Sequence, residues 1–220
     1  MLYIALDAVT PFDSVPPLPF GAEDSERLQK IAHIPSRNRS LNARMLLHKL
    51  IQRSALAEDQ ADIRRDGHGR PYFPNLPHTD FSLTHTDSLC GAALCLHTAH
   101  HIGIDLEEIT SSRDCHRLAR RFFSDEEQKL VCEGGNDTFF LLWTQKEAYA
   151  KQSGQELVSV LSTCNVAHKA QQDGLLLTSL PVAYGAKRFW LSYCATPQEN
   201  EPIFLTYDQH IQLKSIVFER

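Results

Sequence analysis

The sequence contains no Cys-x-x-Cys pair, no apolar run long enough to span a membrane and no excess of positive charge. Each absence excludes a class of protein. The six cysteines, Cys90, Cys95, Cys115, Cys132, Cys164 and Cys194, are scattered singly and do not form the even framework of a short secreted domain, so reduced thiols are expected. Residues Met1 to Asp7 lack a basic stretch, and their apolar run is too short for a signal peptide. The expected location is therefore cytoplasmic, with no membrane partner. Lys and Arg number 22 against 27 Asp and Glu, and a net charge of −5 leaves no general counter-charge for a nucleic-acid backbone. An anionic ligand would have to be met by a local patch. No direct sequence repeat links the two halves of the chain.

What is present suits a folded protein of one large or two small domains: 220 residues, 42% hydrophobic and 22% charged. Two stretches organise it. In Gly103-Ile104-Asp105-Leu106-Glu107 carboxylates alternate with aliphatics, so a strand would put Asp105 and Glu107 on one face and Ile104 and Leu106 on the other. In Trp143-Thr144-Gln145-Lys146-Glu147-Ala148-Tyr149-Ala150-Lys151, between a candidate cap at Asp137 and a stop at Gly154, helical spacing gathers Phe140, Trp143, Thr144, Glu147 and Lys151 into one stripe. Three carboxylates beside an amine match the needs of a hard cation carrying a phosphate ester, with oxygens for the metal and positive charge for the remaining phosphate oxygens. Ordinary readings also exist. Glu147 and Lys151 form an i,i+4 pair of the kind found on solvated helix faces, and Asp105 and Glu107 could be the wet side of a strand.

In chain order, residues 2–6 read as a strand, followed by a helix over 24–31 and a longer one over 36–56. The early Arg37, Arg39 and Arg44 of the longer helix suit either a solvated face or a phosphate. A turn-rich loop, Gly67 to Pro74, leads to a strand at Phe81–Thr86 and a buried strand at Gly91–Leu96. With the acidic strand, these predict a three-stranded antiparallel meander. His97, His100, His101 and His116 bracket the acidic strand, at spacings that match no standard zinc site. Arg113, Arg117, Arg120 and Arg121 recur every three or four residues as a basic helix stripe, either solvated or facing an acidic protein partner. Ser124 to Glu127 reads as a capping box opening a helix that Gly134-Gly135 ends. From Val158 the pattern turns to strands, at 158–160, 175–177, 189–193 and 203–207. The fold class is α+β, each half combining helices with a small antiparallel sheet and the acidic strand lying near their seam.

Four ordered motifs resemble the Sfp-type 4′-phosphopantetheinyl transferases of the holo-[acyl-carrier-protein] synthase superfamily. Gly69-Arg70-Pro71 is similar to the family's Gly-Lys-Pro, and Phe81-Ser82-Leu83-Thr84-His85-Thr86 to its Phe-Asn-(Ile/Leu)-Ser-His-Ser. Gly103-Ile104-Asp105-Leu106-Glu107 resembles Gly-Ile-Asp-(Ile/Val)-Glu, and Phe122-Phe123-Ser124 with Trp143 to Lys151 resembles Phe-Phe-Ser followed by Trp-x-x-Lys-Glu-(Ala/Ser)-x-x-Lys. Together they run from about Arg44 to Lys151.

The resemblance implies Mg²⁺-dependent transfer of 4′-phosphopantetheine from coenzyme A to a serine of an acyl or peptidyl carrier protein, releasing adenosine 3′,5′-bisphosphate. It implies that Asp105, Glu107 and Glu147 hold Mg²⁺, that Glu147 is the candidate base, and that Lys146 and Lys151 lie near the diphosphate. Arg44, Arg70, Thr84 and His85 would hold the 3′-phosphate and adenosine. It further implies a monomer of two similar pseudo-two-fold halves, 1–104 on the nucleotide side and 105–220 bearing the metal, the catalytic helix and the carrier-docking surface, with the site at the seam. An acidic carrier would dock on Arg113, Arg117, Arg120 and Arg121. Thr84, Arg70 and Ser82 depart from the family residues on the nucleotide side, and no departure removes a metal ligand. The alternative is a non-catalytic carrier-binding module; another Mg²⁺-dependent phosphoesterase would need a water-activating group that the sequence does not offer.

Overall fold

The computed structural model describes residues 1–14, 16–96, 101–163, 165–198 and 200–213. The chain divides into two compact units, one of residues 1–102 and 198–209 and the other starting at Gly103 and running to Pro197, with its last described residues at 210–213. Both are mixtures of helix and sheet, so the chain is α+β.

In the first unit, β1 (Leu2–Ala8) is followed by α1 (Gly21–Gln29) and α2 (Ile34–Arg53). A short ladder, β2 (Arg64–Arg65) with β3 (Pro71–Tyr72), closes the turn-rich loop, and the hairpin β4 (Thr79–His85) and β5 (Leu89–Leu96) follows. The sheet order is β4, β5, β1 and then Ile203–Thr206. That last strand runs parallel to β1, so the sheet is mixed rather than wholly antiparallel. The core is where α2 lies on the sheet: Leu46, Leu47, Leu50 and Ile51 pack with Tyr3, Ala5, Phe81 and Leu94. Helical spacing on one side and period two on the other put these apolar residues face to face.

The second unit repeats this plan. β6 (Gly103–Glu108) is followed by α3 (Cys115–Phe122), α4 (Asp125–Ser153), α5 (Leu157–Leu161) and α6 (Val166–Gln172). The hairpin β7 (Leu176–Tyr184) and β8 (Lys187–Ala195) comes next. β9 (Ile203–Thr206) is the strand already met beside β1, and β10 (Ile211–Leu213) adds to β7. In both units a strand and its helices are followed by a hairpin whose second strand pairs with the first strand, as β4-β5-β1 and β7-β8-β6. A repeat that no residue-by-residue similarity betrays is thus present in the topology.

Three expectations are corrected. The acidic strand β6 does not complete a meander with β4 and β5; it pairs antiparallel with β8, because both edges of β5 are already taken by β4 and β1. Residues 158–160 are helical, in α5, where Val160 and Leu161 are buried and Val158 is exposed. A three-residue apolar run cannot distinguish the two periods. Residues 203–206 belong to the first unit's sheet, not to a C-terminal one. The capping box is present: Ser124 accepts from the Glu127 amide, and Glu127 accepts from the Ser124 amide. Gly135, at φ 65° and ψ −147°, breaks α4 into two segments, and the second ends at Gly154. No helix among the described residues is long and apolar enough to cross a membrane.

Candidate active site

Backbone contact between β6 and the second segment of α4 builds the site. A Cβ on Gly103 would lie 1.9 Å from the Ala148 carbonyl oxygen and 2.7 Å from the Gln152 amide, so only glycine allows the helix to lie this close to the strand. Asp105 and Glu107 are on the same face of β6 as Gly103, while Ile104 and Leu106 are buried on the opposite face. A buried hydroxyl chain fixes the rotation of the helix. Thr144 donates to the Leu141 carbonyl and lies 2.8 Å from the Ser192 hydroxyl, which in turn is 2.8 Å from Ser179; Gln145 donates to Ser179 at 3.1 Å. Ser192 sits directly opposite Asp105 in the β6–β8 ladder. With Thr144 turned to the sheet, Glu147 and Lys151, one and two turns on, face the acidic strand.

There Lys151 Nζ donates to Asp105 Oδ1 at 2.7 Å and to the Ile104 carbonyl at 2.9 Å, and stands 3.8 Å from Glu147 Oε2. Trp143 Nε1 donates to Glu147 Oε1 at 2.8 Å. Arg113 Nη1 donates to Glu107 Oε2 at 3.2 Å, with its guanidinium over the Phe140 ring. One oxygen from each of Asp105, Glu107 and Glu147 lies within 4.8 Å of the others. Octahedral Mg²⁺ at its usual bond length spans about 4.2 Å between opposite oxygens, so the cluster is close to the size the ion requires.

The electrostatics fit a cation as well. Burial, followed by the charge of Asp105, pushes both Glu107 and Glu147 up to about 7, against the opposing pull of Arg113 on one and Lys151 on the other. Burial alone would lower the Lys151 ammonium, but Asp105 first and then Glu147 carry it above its ordinary range. Three all-oxygen acidic ligands, two of them short of positive charge, make a donor set suited to a hard divalent ion.

A family model for the 4′-phosphopantetheinyl transferase superfamily matches residues 101–204. A 4′-phosphopantetheinyl transferase of Bacillus subtilis is 30% identical over 166 residues, covering 73% of this chain and 70% of that protein. The chain belongs to the 4′-phosphopantetheinyl transferase superfamily. The 4′-phosphopantetheinyl transferase Sfp of Bacillus subtilis (strain 168) is 29% identical over 165 residues, 72% of this chain and 70% of its own length. The 4′-phosphopantetheinyl transferase HetI of Nostoc sp. is 38% identical over 85 residues, 36% of this chain and 35% of its own. The α+β fold and the enzyme class expected from the motifs agree with membership of the transferase superfamily.

The remaining residues singled out in this transferase-family chain fall into different settings. Arg70 donates to Asp80 Oδ2 at 2.6 Å and to the Ile102 carbonyl at 2.9 Å, while Thr84 is buried and His85 exposed at the end of β4. Arg44 is engaged inside the fold: its Nε and Nη2 bond both oxygens of buried Asp24, and Nη1 bonds the Ser40 carbonyl. Lys146 faces away from Glu147 on α4, fully buried, 3.0 Å from Glu127 Oε1 and bonded to the Thr163 carbonyl. Adjacent helical residues diverge by about 100°, so Lys146 and Glu147 cannot share a face.

Arg113 precedes the Asp114 cap of α3 and turns to Glu107, leaving Arg117, Arg120 and Arg121 as the helix stripe. His101 lies 3.5 Å from Asp80, and His97 and His100 lie outside the described residues, as does Cys164. Two pairings were not read from the sequence: Trp143, though on the same helix stripe as Glu147, as its hydrogen-bond donor, and Arg113, six residues beyond Glu107 through a turn, as the donor to Glu107.

Proposed function

We propose that this chain transfers 4′-phosphopantetheine from coenzyme A to a serine of an apo carrier protein, with Mg²⁺ held by Asp105, Glu107 and Glu147. The observation that carries this reading is the meeting of those three carboxylates with Lys151 in one cluster. When bound, the ion would supply charge neutralisation for the diphosphate oxygens. Lys151, held by Asp105 and the Ile104 carbonyl, supplies a fixed positive charge where the phosphoryl oxygens gain negative charge. Glu147 Oε1 is oriented by the Trp143 indole, which leaves Oε2 to accept the serine proton. A bond forms between the serine oxygen and the phosphorus next to pantetheine, the bond to the second phosphate breaks, and adenosine 3′,5′-bisphosphate leaves.

Arg70, Thr84 and His85 are the residues proposed for the 3′-phosphate and adenosine. Arg117 and Arg121, both exposed on α3, with Arg120 beside them, are proposed as the contact for an acidic carrier. The protein is proposed to act as a monomer in the cytoplasm. The test is intact-mass spectrometry of apo-carrier proteins incubated with this protein, coenzyme A and Mg²⁺, against a chelator control. A metal-dependent gain of one phosphopantetheine is the expected result. No gain on any of a panel of fatty-acid, polyketide and peptide-synthetase carriers would count against it.

A further inference from the structure

The chain has two tryptophans: Trp143 bonds one carboxylate of the cluster, and Trp190 packs against the apolar residues of α3 and α4, in strand register with another. Trp143 is bonded to Glu147. Trp190 lies on β8 directly opposite Glu107, and paired residues of an antiparallel ladder point to the same face, with Cβ atoms about 5 Å apart. Ser192, two residues on, bonds Thr144, so this is the face covered by α4. The Trp190 indole nitrogen is buried and makes no hydrogen bond. A buried donor of this kind calls for an acceptor, and the nearest acidic side chain across the ladder is Glu107.

Glu107 is held instead by Arg113 at 3.2 Å. The two donors differ in charge. A guanidinium suits a carboxylate that has no other cation, but it is repelled once a divalent ion binds the same group. A neutral indole N–H orients a metal-bound carboxylate without that repulsion, as the outer partners of metal ligands commonly do. The geometry points to Trp190 as a positioning residue for Glu107: when the cation binds, Glu107 exchanges Arg113 for the indole N–H of Trp190. The inference rests on the metal-site reading given above and adds to it a partner that the sequence motifs do not contain.

Calorimetric titration of Mg²⁺ in the presence of coenzyme A, with no carrier, reads the two claims separately. Absence of binding to the unaltered protein would remove the metal-site reading and this inference with it. Binding to the unaltered protein and about tenfold weaker binding to Trp190→Phe, which keeps an aromatic ring but loses the N–H with the five-membered ring, is the expected result. Equal binding to both would overturn the positioning role alone. Should Trp190→Phe fail to fold, Trp143→Phe leaves Trp190 as the sole fluorophore. Its emission should shift on adding Mg²⁺ and coenzyme A, and a constant emission under conditions where calorimetry records binding would overturn the exchange.

Discussion

Lys151 Nζ stands 2.7 Å from Asp105 Oδ1 and 3.8 Å from Glu147 Oε2, joining the acidic strand to the helix on which both it and Glu147 ride. In the first unit, Lys49 of α2 makes the equivalent link to Asp7 of β1, also at 2.7 Å. Among the described residues, only the second unit adds two further carboxylates within reach of the first.

Replacing Glu147 by Gln should reduce transfer by at least about 100-fold while leaving the melting temperature nearly unchanged, since the amide keeps an acceptor for Trp143 but takes up a proton poorly. Steady-state kinetics on a carrier protein, with thermal unfolding of the same preparation, check this. Full activity in the variant would falsify the assignment of Glu147 as base and ligand.

The metal-free protein should lose stability as pH rises from about 4.5 to about 7. Glu107 and Glu147 hold their protons up to about 7 when folded, against an ordinary 4.5. A carboxyl whose folded value is raised binds more protons in the folded state, so its contribution is full below the unfolded value and is lost through the folded one. Saturating Mg²⁺ should reverse the trend and release protons when it binds near pH 6. Urea unfolding across that range, with and without Mg²⁺, is the measurement, and a stability profile that is the same with and without the ion would contradict it.

Gly103→Ala should cost about 1–3 kcal/mol and weaken Mg²⁺ binding together, because the added methyl meets backbone that cannot rotate away. Denaturant titration paired with calorimetry tests the coupling. Loss of stability with unaltered metal affinity would show that the helix can back off without moving the carboxylates.

Lys146→Met should destabilise the fold by about 3–5 kcal/mol, since Glu127 would be left charged and buried. The double change with Glu127→Gln should recover part of that loss. If the single variant folds normally and its defect lies instead in the Michaelis constant for coenzyme A, Lys146 is a substrate ligand after all.

Charge reversal at Arg117 and Arg121 should raise the Michaelis constant for an acidic carrier several-fold, more at low salt than at high, and spare coenzyme A binding. Kinetics at two ionic strengths decide this, and an unchanged carrier constant removes α3 from docking.

The elements that build the candidate site were legible because their periods are strong. Asp105 and Glu107 alternate with buried aliphatics, and Thr144, Glu147 and Lys151 recur at helical spacing between a break and a stop. Strand partnership was not legible, because nothing local in Gly103–Glu108 says that β5 is already flanked on both sides. The partners of Lys146 and Arg44 were not legible for the same reason: a long cation reveals its charge in the sequence, but Glu127 and Asp24, at 19 and 20 residues' distance, are brought to them only by packing. Arg113 fits a helical count, yet the helix starts at Cys115, after the Asp114 cap, and so leaves it out.

The break at Gly135 isolates the phase of the helix segment that carries Glu147 and Lys151. In an unbroken helix, one residue gained or lost rotates everything downstream by about 100°, which would turn Glu147 away from β6. Here the second segment starts afresh, with Asn136 tied to the Thr110 carbonyl at 2.8 Å, and takes its rotation from the Thr144–Ser192 contact. Length changes in the segment from Asp125 to Gly134 would alter where Glu127 meets Lys146, but not the angle at which Glu147 and Lys151 face the strand. A length change in the outer part of α4 would therefore be felt at the buried Glu127–Lys146 pair rather than in the register of Glu147 and Lys151.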